Sequence, residues 1–144
     1  LEANMFHHIL IGYDGSAPGK KALEYGIDFA MHAGAELTIV TVFPPVPDYL
    51  GSPQYDDIVA KLTHDAQQTA AMAAEQAQAC GIEKVRVEVL QGHGAESILR
   101  VAEIRGCDCI VVGSRGLGTM SGLLLGGVSD KLAHHSKVPV LIVK

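Results

Sequence analysis

A chain of 144 residues, 48% hydrophobic and 19% charged, is the size of one domain and can bury a core without disulfides or a structural metal. Eleven Lys and Arg against sixteen Asp and Glu leave a net charge of −5, so the basic surface that nucleic-acid binding needs is missing. Three cysteines are too few for a secreted disulfide scaffold, and although the mean hydropathy is +0.23, no apolar run approaches the ~20 residues that span a bilayer.

The opening Leu1-Glu2-Ala3-Asn4-Met5 has neither a basic stretch nor an apolar one, so a cytoplasmic location is the expectation. Residues 1–6 read as an N-terminal extension, with Met5 a candidate initiator, and 7–144 as one domain. His8-Ile9-Leu10-Ile11-Gly12 is a buried strand stopped by the turn cluster Tyr13-Asp14-Gly15-Ser16. Ser16 can cap a helix, Pro18 suits its first turn, and Leu23, Ile27, Ala30 and Met31 recur at helical spacing before Gly34. A second strand runs from Leu37 to Val42, and a loop with four prolines follows, from Phe43 to Pro53. From Gln54 to Cys80 a long helix carries Ile58, Leu62, Ala66, Ala70, Ala73 and Ala77 on one side, and Gly81 closes it.

Val85-Arg86-Val87-Glu88-Val89 alternates, predicting a third strand with one wetter face. A turn at Gly92-His93-Gly94 leads to a helix from Ala95 to Arg105, with Ile98, Leu99, Val101 and Ala102 inward and Gly106 at its end. Cys107 to Gly113 is the fourth strand, Val128 to His135 a short helix, and Val138 to Val143 the fifth strand. Strands alternating with helices imply an α/β domain, a doubly wound parallel sheet with helices on both faces.

In such sheets ligands bind beyond the carboxyl ends of the strands, where the strand order reverses. Two Gly-rich turns fall at such ends, Gly12-Tyr13-Asp14-Gly15-Ser16 and Gly113-Ser114-Arg115-Gly116. The second leads to Gly126-Gly127-Val128-Ser129 at a helix start, where backbone N–H groups and the helix dipole suit a phosphate. Asp14 is placed to accept hydrogen bonds from a ribose or to hold a metal. A P-loop is disfavoured, because Gly15 and Gly19 are separated by three residues rather than four and Lys21 replaces the Ser or Thr. Cys107 and Cys109 should point to opposite faces as buried thiols, and the His7-His8 and His134-His135 pairs lack helical metal-ligand spacing. No pattern of nucleophile and base stands out, so no catalytic residue is assigned.

Gly113-Ser114-Arg115-Gly116, then nine residues from Leu117 to Leu125, then Gly126, resembles the ATP-binding signature of the universal stress protein family, G-x2-G-x9-G followed by Ser or Thr. The resemblance covers nearly the whole chain. It implies a five-stranded parallel sheet of order 3-2-1-4-5, a homodimer, and ATP held between the first and fourth strands. By position, Gly12, Tyr13 and Asp14 would line the adenosine side, and the backbone of Val42 would meet adenine. Arg115 and Gly116 would lie along ribose and phosphates, and Gly126, Gly127, Val128 and Ser129 would wrap the phosphates. Gly127 departs from the pattern, and Ser129 is the candidate to replace the lost hydroxyl contact.

Blander roles stand beside these: a turn cap for Asp14, a helix cap for Ser129, a solvated loop tip for Arg115. The function implied is an ATP-binding sensor or regulatory module of the stress response, with magnesium carried on the phosphates and Asp14 the side chain able to reach it. A slow ATPase and a partner-binding protein with little nucleotide affinity remain open, with no client identified. In the order 3-2-1-4-5 the fifth strand is an edge without charge before Lys144. Pairing of Val140, Leu141, Ile142 and Val143 with a second copy would cover it. Neither nucleic acid nor membrane is expected as a partner.

Overall fold

The structure, a computed structural model, describes residues 5–114 and 126–144. The elements are β1 (His8–Gly12), α1 (Ala17–Ala33), β2 (Glu36–Phe43), a short 3-10 turn (Asp48–Leu50), α2 (Gln54–Ala79), β3 (Val85–Gln91), α3 (Gly94–Arg105), β4 (Cys109–Gly113), α4 (Gly127–His135) and β5 (Val140–Val143). They build a five-stranded sheet of order β3-β2-β1-β4-β5 in which every neighbouring pair is parallel.

Alternation along the strands divides the core into two layers. Ile9 and Ile11 of β1 join Leu37, Ile39, Val111 and the inner faces of α1 and α2. Leu10 joins Val40, Ile110, Val112 and the inner faces of α3 and α4. Cys109 belongs to the first layer and Cys107 to the second; two residues apart on one strand they would share a face, and they differ because Cys107 precedes β4. Burial, with Asp108 as a second cause, pushes each thiol up to about 11. His8 is buried as well: its Nε2 lies 2.6 Å from Thr38 Oγ1 and its Nδ1 3.1 Å from the Arg105 carbonyl oxygen.

The caps follow local chemistry. Ser16 Oγ accepts the Gly19 N–H at 3.1 Å, and Gly34 ends α1 at φ 65° in the left-handed region. The inner face of α1 differs from the expected one. Gly19, Ala22, Leu23, Gly26, Ile27 and Ala30 are buried, whereas Met31 is 46% exposed. Gly26 brings the helix close to the sheet: a Cβ added there would sit 2.5 Å from Ile11 Cδ1 and 2.8 Å from its Cγ1. In α2 the buried residues are Ala66, Ala70, Ala73 and Ala77, while Ile58 is 39% exposed. The strand β4 begins at Cys109 rather than Cys107, and β5 at Val140 rather than Val138.

Candidate functional site

Strand order reverses between β1 and β4, which are direct neighbours in the sheet. Their carboxyl ends therefore open side by side into one crevice. On the β1 side, Tyr13 donates its N–H to the Val40 carbonyl at 2.9 Å, carrying the ladder one residue past the strand. Its ring enters the core layer of α1 and α2, where burial first and the charge of Asp14 second raise its pKa. Tyr13 thus offers the crevice backbone rather than phenol.

Asp14 is exposed, and its Oδ1 accepts the N–H of Ser16 at 2.9 Å and its hydroxyl at 2.5 Å. Gly15, at φ 80°, supplies the left-handed residue this turn needs. The turn-cap role of Asp14 is therefore real, and it uses one oxygen. Oδ2 accepts no hydrogen bond among the described residues. Gly12 has a packing reason of its own: a Cβ there would come 2.9 Å from Ile98 Cδ1 and 3.0 Å from Val112 Cγ1.

Val42 lies near the end of β2, in register with Leu90 of β3. The Leu37 N–H and Phe43 carbonyl bond toward the β3 side, through Lys84 and Gly92, while the Val40 carbonyl bonds toward β1. Backbone direction alternates along a parallel strand, so the N–H and carbonyl of Val42 point to the β1 side, past the last β1 residue. Those groups face the crevice.

On the β4 side, Gly113 ends the strand, and the Ser114 N–H donates to the Val143 carbonyl at 2.8 Å. Arg115 and Gly116 lie outside the described residues, as do 117–125. The chain resumes beside Ser114: the Gly126 N–H donates to the Ser114 carbonyl at 2.7 Å. Gly126 is the N-cap of α4, and the first N–H groups of a helix have no acceptor within it. Gly127 is exposed, and a Cβ there would meet nothing within 4 Å, so a serine would fit where this chain has glycine.

Val128 packs toward the start of α3, since a Cβ at Gly94 would come 3.0 Å from Val128 Cγ2. Two helix N-termini therefore meet at one end of the sheet, each carrying partial positive charge. The sequence marks Gly94 only as a turn residue, because this constraint comes from a residue on another element. Ser129 is 2% exposed, and its hydroxyl donates to the carbonyls of Ser114 at 2.9 Å and Gly126 at 3.1 Å. Its proton is thus directed at backbone acceptors on Ser114 and Gly126.

A doubly wound α/β domain with glycine-rich strand exits at the switch point is a fold that binds ligands there. The model of the universal stress protein family matches residues 5–144, and the chain belongs to that family. It is 37% identical over 140 residues to the universal stress protein in QAH/OAS sulfhydrylase 3'region of Thermus aquaticus, covering 97% of this chain and 100% of the relative. Among solved structures it resembles hypothetical protein MJ0577, with a TM-score of 0.88 and 27% identity over 97% of this chain and 96% of that one. A universal stress protein in complex with cAMP is 28% identical, with a TM-score of 0.70, covering 96% of each chain. The sheet order inferred from the resemblance is the observed one.

Proposed function

We propose that this universal stress protein binds ATP, with magnesium on the phosphates, in the crevice between the exits of β1 and β4, and acts as a sensor or regulatory module in the stress response. The observation that carries this reading is the 2.7 Å bond from Gly126 N–H to the Ser114 carbonyl, which holds the open first turn of α4 beside both strand exits. The cAMP complex of a relative 28% identical supports an adenine nucleotide as the ligand class.

In this reading the Val42 backbone meets the adenine edge, and Gly12 and Tyr13 line the adenosine. The free oxygen of Asp14 takes a ribose hydroxyl or the metal. Gly113, Arg115 and Gly116 follow the ribose and phosphates, and Gly126, Gly127, Val128 and Ser129 wrap the phosphates, the last three through their open N–H groups. No helix among the described residues is long and apolar enough to cross a membrane, and we place the protein in the cytoplasm.

A side chain at Gly126 would stand between backbone and phosphate. Gly126→Val is expected to weaken ATP binding at least tenfold, about 1.4 kcal/mol. Calorimetry on the folded variant checks this, and an unchanged affinity removes the site.

The reading includes a homodimer through Val140, Leu141, Ile142 and Val143. One edge of β5 pairs with β4, and among the described residues the other meets no strand. Leu141 is 40% exposed there, beside an apolar groove of about 400 Å³ formed with Phe6, Phe29, Cys109, Pro139 and Val140. The Pro139 and Val143 carbonyls bond toward β4, so by alternation the outward groups are those of Val140 and Ile142. Ile142→Pro deletes an outward donor while sparing the β4 ladder, and should shift the protein from dimer to monomer in light scattering. A stable monomer for the unmodified chain at micromolar concentration overturns the dimer.

A further inference from the structure

Buried serine is ordinarily a helix cap or a neutral filler, but Ser129 is neither. It sits in the first turn of α4, where Gly126 holds the cap position and makes no side-chain bond. The Ser114 carbonyl receives two donors, the Gly126 N–H at 2.7 Å and the Ser129 hydroxyl at 2.9 Å. The Gly126 carbonyl also receives two, the Asp130 N–H at 2.9 Å and the Ser129 hydroxyl at 3.1 Å. Ser114 is itself fixed to the sheet through Val143. One hydroxyl therefore bridges the residue that leaves β4 and the residue that enters α4.

We infer that Ser129 is a positioning residue for phosphate recognition: its hydroxyl clasps Ser114 to Gly126 and sets the first-turn N–H groups of α4 against the crevice, without touching the ligand. The inference rests on the nucleotide reading of the crevice. Its physical basis is preorganisation, because donors held in place before binding spend less free energy on ordering when the anion arrives. The hydroxyl lies on the buried side of the turn, so the exposed side, at Gly127 and Val128, remains the ligand face. Removing the hydroxyl leaves the Ser114 and Gly126 carbonyls with their backbone donors, so the fold should persist while the turn loosens.

The test compares the unmodified chain with Ser129→Ala and with Ser129→Thr, which keeps a hydroxyl. Binding of ATP and of adenosine is measured by calorimetry. Amide exchange at Gly126 is measured by NMR in the nucleotide-free protein. Ser129→Ala should weaken ATP by about tenfold, the scale of one buried hydrogen bond, and leave adenosine unchanged. It should also raise Gly126 exchange by about tenfold with the Leu10 and Ile110 amides unaffected, and Ser129→Thr should restore both.

A general loss of stability would move the ATP and adenosine affinities together, which overturns the inference. Weaker ATP with unchanged Gly126 exchange would mean direct contact and overturns it too. Failure of the unmodified chain to bind ATP would defeat the nucleotide reading instead, and the inference with it. If Ser129→Ala does not fold, Ser129→Cys, close in size and a weak donor, is read in the same way.

Discussion

Replacing Gly26 with valine should destabilise the protein by about 3 kcal/mol, the upper range for overpacking a well-filled core. Gly26 is where α1 comes nearest the sheet. A Cβ alone would stand 2.5 Å from Ile11 Cδ1 and 2.8 Å from Cγ1, with Val111 Cγ1 at 3.4 Å. Ile11 and Val111 are fully buried, so neither side chain has free space to enter. Valine adds two more methyl groups in the same gap, and α1 must lift. The gain in helix propensity over glycine, well under 1 kcal/mol, does not offset this. Urea denaturation read by circular dichroism measures the loss as a lower midpoint at similar slope. A change under about 1 kcal/mol would mean that α1 packs less closely than the structure has it.

Leu132→Ala should cost about 3–4 kcal/mol, within the range for deleting a fully buried leucine side chain. The helix α4 has nine residues, and Ser129 and Leu132 are its buried ones. A helix that short has little stability of its own in water, so α4 depends on what it buries. Leu132 is fully enclosed in the layer formed with Leu10, Val40, Ile98 and Ile110. Truncation removes most of the anchor and leaves a cavity. Ile104→Ala, at a site 70% exposed, should cost far less and serves as the control. Equal losses in the two variants would contradict the assigned burial.

Where local chemistry decides an element, the residues announce it. Ser16, Pro18 and Gly34 bound α1 as their types require, and the apolar run of β1 ends at Gly12 in both readings. Boundaries set by a particular local hydrogen bond, which residue type does not disclose, were not legible. Cys107 looks like strand sequence, yet its N–H donates to the Ala102 carbonyl at 2.8 Å and still belongs to the close of α3. Val138 gives its N–H to Ser136 Oγ at 3.1 Å, inside a turn, and β5 starts after the donorless Pro139. Met31 was misplaced because hydrophobic periodicity cannot count Gly19 and Gly26, whose lack of a side chain is what buries that face.

The same division holds at the site. The turn at Asp14 and the helix start at Gly126 follow from residue types. Which way the Ser129 hydroxyl points depends on Ser114, which the fold brings back beside it. The reason for glycine at position 12 lies in Ile98 of α3, a contact with no signal in the surrounding sequence.

The unequal burial of α2 along its length divides one helix into two thermodynamic halves. Its 26 residues span about 39 Å, while the eight of β2 span about 26 Å. Of the four buried alanines, Ala66 stands at the midpoint and Ala70, Ala73 and Ala77 lie in the C-terminal half. That half opens only when the sheet beneath it loses its cover, so its amides exchange on the scale of global unfolding. The first turns after Gln54 bury no residue completely and are held mainly by intrinsic helical propensity. They unwind at a small fraction of the global free energy, by fraying from the end next to the exit of β2. The end of α2 that reaches past the buried alanines can therefore change shape many times over while the sheet stays intact.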